Sequence, residues 1–302
     1  MNTRSIKTAI IILLAAVNIF LIYNIAALDM RVQNIPADMI ENASAILKGR
    51  GIDADMKLIP ARKPVNYIYE GVFPEYSEIV KNFSGASDEE IRNGHYVTLD
   101  EIAIFNAGEY TFDFEDNMQI KIVKSDYAGG VTVGELADYA DFNRNDMSGA
   151  ESIIRDFLRK YPAQDIRTGF DILEFKKDGG RDIVRINQTA DGLYIASHTA
   201  YIIIEDGEVK YFSGRWYFGK LSGGPDGNGY RMPLLDAVNI LFKSLEHDGD
   251  SLNGAKLENM GKEYNILEQH GMDTFYFTPS WVVSFDGGRN FSYDMIMGNK
   301  NN

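Results

Sequence analysis

The sequence predicts an α+β protein, an extracytoplasmic ectodomain of antiparallel sheets with packed helices carried on one N-terminal transmembrane helix. Three observations lead there. Residues 9–28 (AIIILLAAVNIFLIYNIAAL) form a twenty-residue run without a charge or a proline. Behind it, amphipathic helical patterns recur between strand-like stretches separated by tight Gly-containing turns. The composition, 45% hydrophobic and 12% aromatic, is enough to build a real core.

At ~1.5 Å per residue the apolar run covers roughly the 30 Å of a bilayer's hydrocarbon layer, so it can span as one helix. Arg4 and Lys7 precede it with no acid, whereas Asp29, Arg31, Asp38 and Glu41 follow it. The positive-inside rule then makes 1–8 a cytoplasmic tail and 9–28 the anchor. Everything beyond lies outside the cell membrane, as a first lobe over 29–147 and a second over 148–302. A cleaved signal peptide is the rival reading, since Ala26 and Ala27 are small. Its apolar region is usually only ~7–15 residues, and no clean A-x-A site is present here. Within the anchor, Asn18 places an amide near mid-membrane, where it needs a hydrogen-bond partner. Helical spacing lines up Ile11, Ala15, Asn18, Ile22 and Ala26 on one face, and small Ala15 lets a neighbouring helix come close. The plainer alternative is that a single Asn is tolerated there.

The first ectodomain helix is expected over 36–48, with Ile40, Ala43, Ile46 and Leu47 at helical spacing and Gly49 and Gly51 as the stop. A looser aromatic stretch over 65–80 is punctuated by Pro64 and Pro74. Strands over 96–105, 109–114 and 118–123, joined by short turns, read as an antiparallel meander. Helices follow over 132–142 and 151–161. The second places Ile153, Ile154, Phe157, Leu158 and Tyr161 opposite Arg155, Asp156, Arg159 and Lys160. Strands over 169–175, 182–188, 193–195, 201–205 and 208–217 carry Asp178-Gly179-Gly180 and Asp206-Gly207 at their turns. A helix over 233–246 and strands over 255–267, 274–285 and 290–297 close the chain. Helix followed by antiparallel strands is thus stated at least twice, though sequence identity between the units is too low to prove a duplication.

With 44 acids against 30 bases, the net charge of −14 argues against nucleic acid as a partner. The absence of cysteine removes disulfides, thiolate chemistry and Cys-ligated metal, a usage that suits an ectodomain on a Gram-positive-type cell surface. His95, His198, His247 and His270 are scattered without the i, i+4 spacing of a helical zinc pair. No G-x-S-x-G elbow or S-x-x-K motif occurs. The glycine-rich loop over 222–229 lacks the G-K-[ST] ending of a phosphate loop. The stretch starting at Asp141 opens like a calcium loop, but Asp146 stands where Gly is required and Ser152 where Glu is required. Glu246, Asp248 and Asp250 could bind a cation, although acids in such a loop are usually solvated. Trp216 and Trp281 offer either a carbohydrate platform or core packing. No catalytic, cofactor or metal site is therefore assigned, and the residues favour an interaction protein over an enzyme.

Three features together resemble the YycI family. The first is Ser5-Ile6-Lys7-Thr8 ahead of an apolar run containing Asn18-Ile19-Phe20-Leu21; the second is a short helix closing on Gly51-Ile52. The third is the strand Phe275-Tyr276-Phe277-Thr278-Pro279-Ser280-Trp281-Val282-Val283 near the C-terminus. The likeness spans nearly the whole chain in order and length, but Asp294-Met295 departs from the Asn-Ala pair expected at the family's close. The resemblance implies a non-enzymatic, membrane-anchored accessory protein of a cell-wall-controlling two-component system. Its partners would be the sensor histidine kinase WalK (YycG) and a YycH-like protein, contacted largely through transmembrane helices. An anchored cell-envelope enzyme or glycan-binding protein is the alternative.

Overall fold

Five α-helices and thirteen strands stand among the described residues, so the α+β class is what the chain adopts. The structure is a computed structural model that describes residues 17, 34–61, 67–98, 102–115, 118–127, 147–161, 168–223, 234–248, 251–268 and 274–301. The expected helix over 132–142 lies outside them. The chain divides into two compact units, one from the described parts of 1–66, 231–261 and 280–302, the other from those of 67–230 and 262–279. These boundaries are not those of the expected lobes 29–147 and 148–302. The helix Ala237–Asp248 and the C-terminal strands pack with the helix Ala37–Gly49, since these elements share one apolar cluster.

In the first unit, α1 (Ala37–Gly49) follows Pro36, whose missing N–H costs nothing where the helix has no acceptor to offer. Its Ile40, Ala43 and Leu47 are buried, whereas Ile46, expected inside, is 48% exposed. One residue is a 100° rotation, which carries Ile46 off the stripe that Leu47 occupies. The second helix of this unit, Ala237–Asp248, starts at Asp236, whose carboxylate accepts from the Asn239 backbone N–H at 3.0 Å. An antiparallel pair runs from Ser280↔Asp294 to Phe285↔Arg289. Trp281, Val283 and Phe285 from this pair join Val238, Leu241 and Leu47 in the core.

The second unit is mostly sheet. Strand β1 (Tyr69–Val72) lies antiparallel between β10 (Lys220–Gly223) and the start of β12 (Thr274–Phe285). The meander appears as β2 (His95–Val97), β3 (Ala103–Ala107), β4 (Tyr110–Phe114) and β5 (Gln119–Lys124), each antiparallel to the next. What the sequence suggests as one strand over 96–105 is a hairpin, closed where the Thr98 hydroxyl accepts from the Ile102 N–H at 3.1 Å. From β5 the sheet continues to β9 (Glu208–Arg215), β8 (Leu193–Glu205), β7 (Arg181–Ala190) and β6 (Thr168–Asp178). The stretches 193–195 and 201–205 are therefore one strand.

Helix α4 (Ser148–Leu158) buries Ile154, Phe157 and Leu158 on one side, as its periodicity requires. Two further helices, α2 (Tyr76–Ser84) and α3 (Asp88–Gly94), occupy stretches where the sequence reading places no helix. Ser87 and Glu90 form a reciprocal capping box at the start of α3, a signal visible as S-x-x-E. The other departure is a parallel contact: β11 (Leu257–Glu268) meets β8 at Glu263↔Tyr194 and Tyr264↔Ile195. An all-antiparallel sheet is thus corrected to a mixed one.

Candidate interaction surfaces

The proposed membrane face, Ile11, Ala15, Asn18, Ile22 and Ala26, lies outside the described residues. Within the apolar run only Val17 is described, helical and 45% exposed. Among the described residues no helix is long and apolar enough to cross a membrane.

The candidates for chemistry end up apart. His95 stacks on Phe105 with ring centres 4.4 Å apart, His198 is buried in the second unit, and His247 lies over Tyr293 in the first. Asp141–Asp146, His270 and Asp250 lie outside the described residues, as does the glycine-rich loop beyond Gly223. No group of three His, Cys, Asp or Glu side chains that could hold a metal occurs among the described residues. Trp216 and Trp281 are each 0% exposed, so neither is a platform for stacking a sugar. Trp281 instead donates its indole N–H to the Leu235 carbonyl at 2.9 Å, tying the strand to the lead-in of the helix Ala237–Asp248.

An open depression of about 1050 Å³ lies in the first unit, where α1 ends near the last turn of the Ala237–Asp248 helix. Its apolar side is Ile46, Phe242 and Leu245, and its polar side includes Arg50, His247 and Asp248. Asp248 accepts from the Tyr293 hydroxyl at 2.7 Å and from the Lys300 ammonium at 2.7 Å. Burial pushes its carboxyl up, but those two hydrogen bonds outweigh burial and hold it below the usual range. Burial and the facing Asp248 push the Tyr293 phenol well above its ordinary value. Glu246 is held by Lys243 at 2.9 Å. Asp248 therefore braces the C-terminal segment, whereas Glu246 pairs within its own helix.

A second, smaller depression of about 260 Å³ lies in the second unit beside α4. Lys124, whose side chain is 12% exposed, binds Glu208 at 2.6 Å and Glu109 at 3.3 Å. Lys210 binds Asp126 at 2.7 Å and shares Glu208 at 3.4 Å. The hydrogen bond to Glu208 is the main reason that the Lys124 ammonium is pushed up. Nearby, Lys160 donates to the Tyr110 hydroxyl at 2.8 Å, its charge 5.1 Å from the Tyr110 ring centre. Lys124–Glu208, Lys210–Asp126 and Lys160–Tyr110 each join residues far apart in sequence, so only folding brings them together.

The corner at Asp294-Met295 also has a structural explanation. Asp294 accepts from the backbone N–H groups of Ile296, Met297 and Asn299 at 3.0, 2.7 and 2.6 Å, while Met295 is fully buried. The acid builds the turn and the thioether fills the core.

No protein-family model matches the sequence, and no curated protein matches it. A solved structure of an uncharacterized protein from Eubacterium rectale ATCC 33656 is similar at 10% identity and a TM-score of 0.40, covering 83% of this chain and 90% of that one.

Proposed function

We propose that the chain is a membrane-anchored regulator that biases a cell-wall-controlling sensor histidine kinase, in the manner of the YycI family, without catalysing a reaction. The observation that carries the proposal is the uncharged run over 9–28 with Arg4 and Lys7 on one side and acids on the other, a pattern that supports a single-pass anchor with its N-terminus inside. The burial of both tryptophans counts against a glycan-binding surface built on them. Lateral helix association can shift a kinase between signalling states only as far as the helix binds those states differently. The partners are the WalK-like kinase and a YycH-like protein, met across Ile11, Ala15, Asn18, Ile22 and Ala26. Asn18→Leu removes an interhelical hydrogen bond, on the order of 0.6–2 kcal/mol, and Ala15→Leu adds a steric block on the same face. In a membrane two-hybrid assay at matched expression both weaken the signal, whereas Leu14→Ala and Leu21→Ala leave it. Equal signals from all four variants would reduce the helix to an anchor. Release of the chain into the medium with an N-terminus near Leu28 would refute the topology.

A further inference from the structure

His198 sits where β8 changes neighbours. Before it, Tyr194 and Ile195 pair with β11; after it, Ala200 onward pairs with β9. Opposite, the register with β7 jumps between Asn187↔Thr199 and Thr189↔Tyr194, so several residues of β8 bulge against Gln188. Ser197 adopts φ +59° to make the excursion. The ring is 2% exposed, and its Nδ1 lies 2.9 Å from the Ala196 carbonyl. A carbonyl only accepts, so Nδ1 carries the hydrogen and Nε2 carries a lone pair. That buried Nε2 has no hydrogen-bond partner.

A second proton on Nε2 would thus be a buried cation without an acceptor. Arg215 of β9 is the charge that bears on the ring, and it opposes protonation as burial does. The other charged groups on these strands are Arg181, Asp182 and Arg185 of β7, Glu205 of β8, Glu208 and Lys210 of β9, and Glu258, Lys262, Glu263 and Glu268 of β11, with Asp191 in the β7–β8 turn. β9 closes one side so tightly that a Cβ at Gly214 would run into the Thr199 carbonyl. The contact with β11 is only two residue pairs long, and is the weaker side.

We propose that residues 195–199 are an acid-released latch: protonation of His198 expels its ring from the bulge and frees β8 from its short parallel contact with β11. The partner in this device is the hydronium ion, and the output is exposure of the facing strand edges at Tyr194–Ile195 and Glu263–Tyr264. Burial holds the ring near 4 against an ordinary 6.5, so opening is promoted as the pH falls across that interval.

The test is hydrogen exchange on the full chain in mild detergent at pH 7.5, 6, 5 and 4, corrected for intrinsic rates. Protection at residues 194–199 and 263–264 is expected to fall about a hundredfold by pH 4, while the β3–β4 hairpin keeps its protection. Arg215→Gln should move the midpoint of that loss to higher pH, and His198→Gln should flatten it. Unchanged relative protection in the wild-type chain between pH 7.5 and 4 would overturn the proposal, whether or not the variants fold. A pH-dependent loss that persists undiminished in folded His198→Gln would overturn it too.

Discussion

Gln188 offers the sharpest test of how the second unit is held together. It is 0% exposed, at the register jump of β7, and its amide acts as a substitute strand for Tyr217 just beyond the end of β9. Gln188 Nε2 donates to the Tyr217 carbonyl at 2.6 Å, and Oε1 accepts from the Tyr217 N–H at 2.9 Å. Gln188→Leu keeps the size and removes both bonds. Depriving a buried backbone group of a partner costs about 1–3 kcal/mol. Two such losses, about 4 kcal/mol at the middle of that range, less roughly 1–2 kcal/mol for the extra apolar burial, leave about 2–3 kcal/mol of destabilisation. That is a large fraction of the ~5–15 kcal/mol by which domains are usually stable. Gln188→Glu separates the two bonds, because a carboxylate can accept from the N–H but can donate to the carbonyl only when protonated. Its folded pKa is therefore raised, and its penalty relative to wild type shrinks as the pH falls towards 5. Urea titration read by exchange of the β7 and β9 amides reports on this unit alone. Stability of Gln188→Leu within about 0.5 kcal/mol of wild type, below the smallest loss expected from removing both bonds, would refute the reasoning.

Other consequences are open to the same measurements. A Cβ at Gly71 would lie 2.5 Å from the Tyr217 hydroxyl and 2.8 Å from the Phe277 ring, so Gly71→Ala should cost about 1–3 kcal/mol and lower protection along β1. Asp294→Ala strips three backbone N–H groups of their acceptor and should speed exchange at residues 296, 297 and 299 at least tenfold; unchanged exchange would mean that the turn holds without the acid. Asp248 has a folded pKa below its ordinary 3.8, so its contribution is present above that pH and is lost as the pH falls through the folded value. Tyr293→Phe should weaken the first unit at neutral pH and reduce its loss of stability on going below 3.8. An acid limb identical to wild type would show that the Asp248 link is not part of it.

Local pattern and tertiary burial divide the protein between them. Helical periodicity located α1, α4 and the helix Ala237–Asp248 to within a few residues, because an apolar stripe must find a core whatever that core is. Turn chemistry at Asp206-Gly207 and Asp178-Gly179-Gly180 likewise placed the hairpins β8–β9 and β6–β7. Ser87 and Glu90 were a legible start for α3, overlooked because so short a helix carries almost no periodicity. The roles of Asp248, Lys124, Gln188 and His198 had no local signal. Their partners lie 45 residues away at Tyr293, 84 at Glu208 and 29 at Tyr217, and for His198 the deciding fact is enclosure by neighbouring strands. The sequence by itself determined the α+β class, most of the elements and the apolar run, because these follow from propensity and period along the chain. Only the tertiary structure decided which distant strands became neighbours, and so which polar side chains lost water and which found a partner, because desolvation is a property of the packed whole.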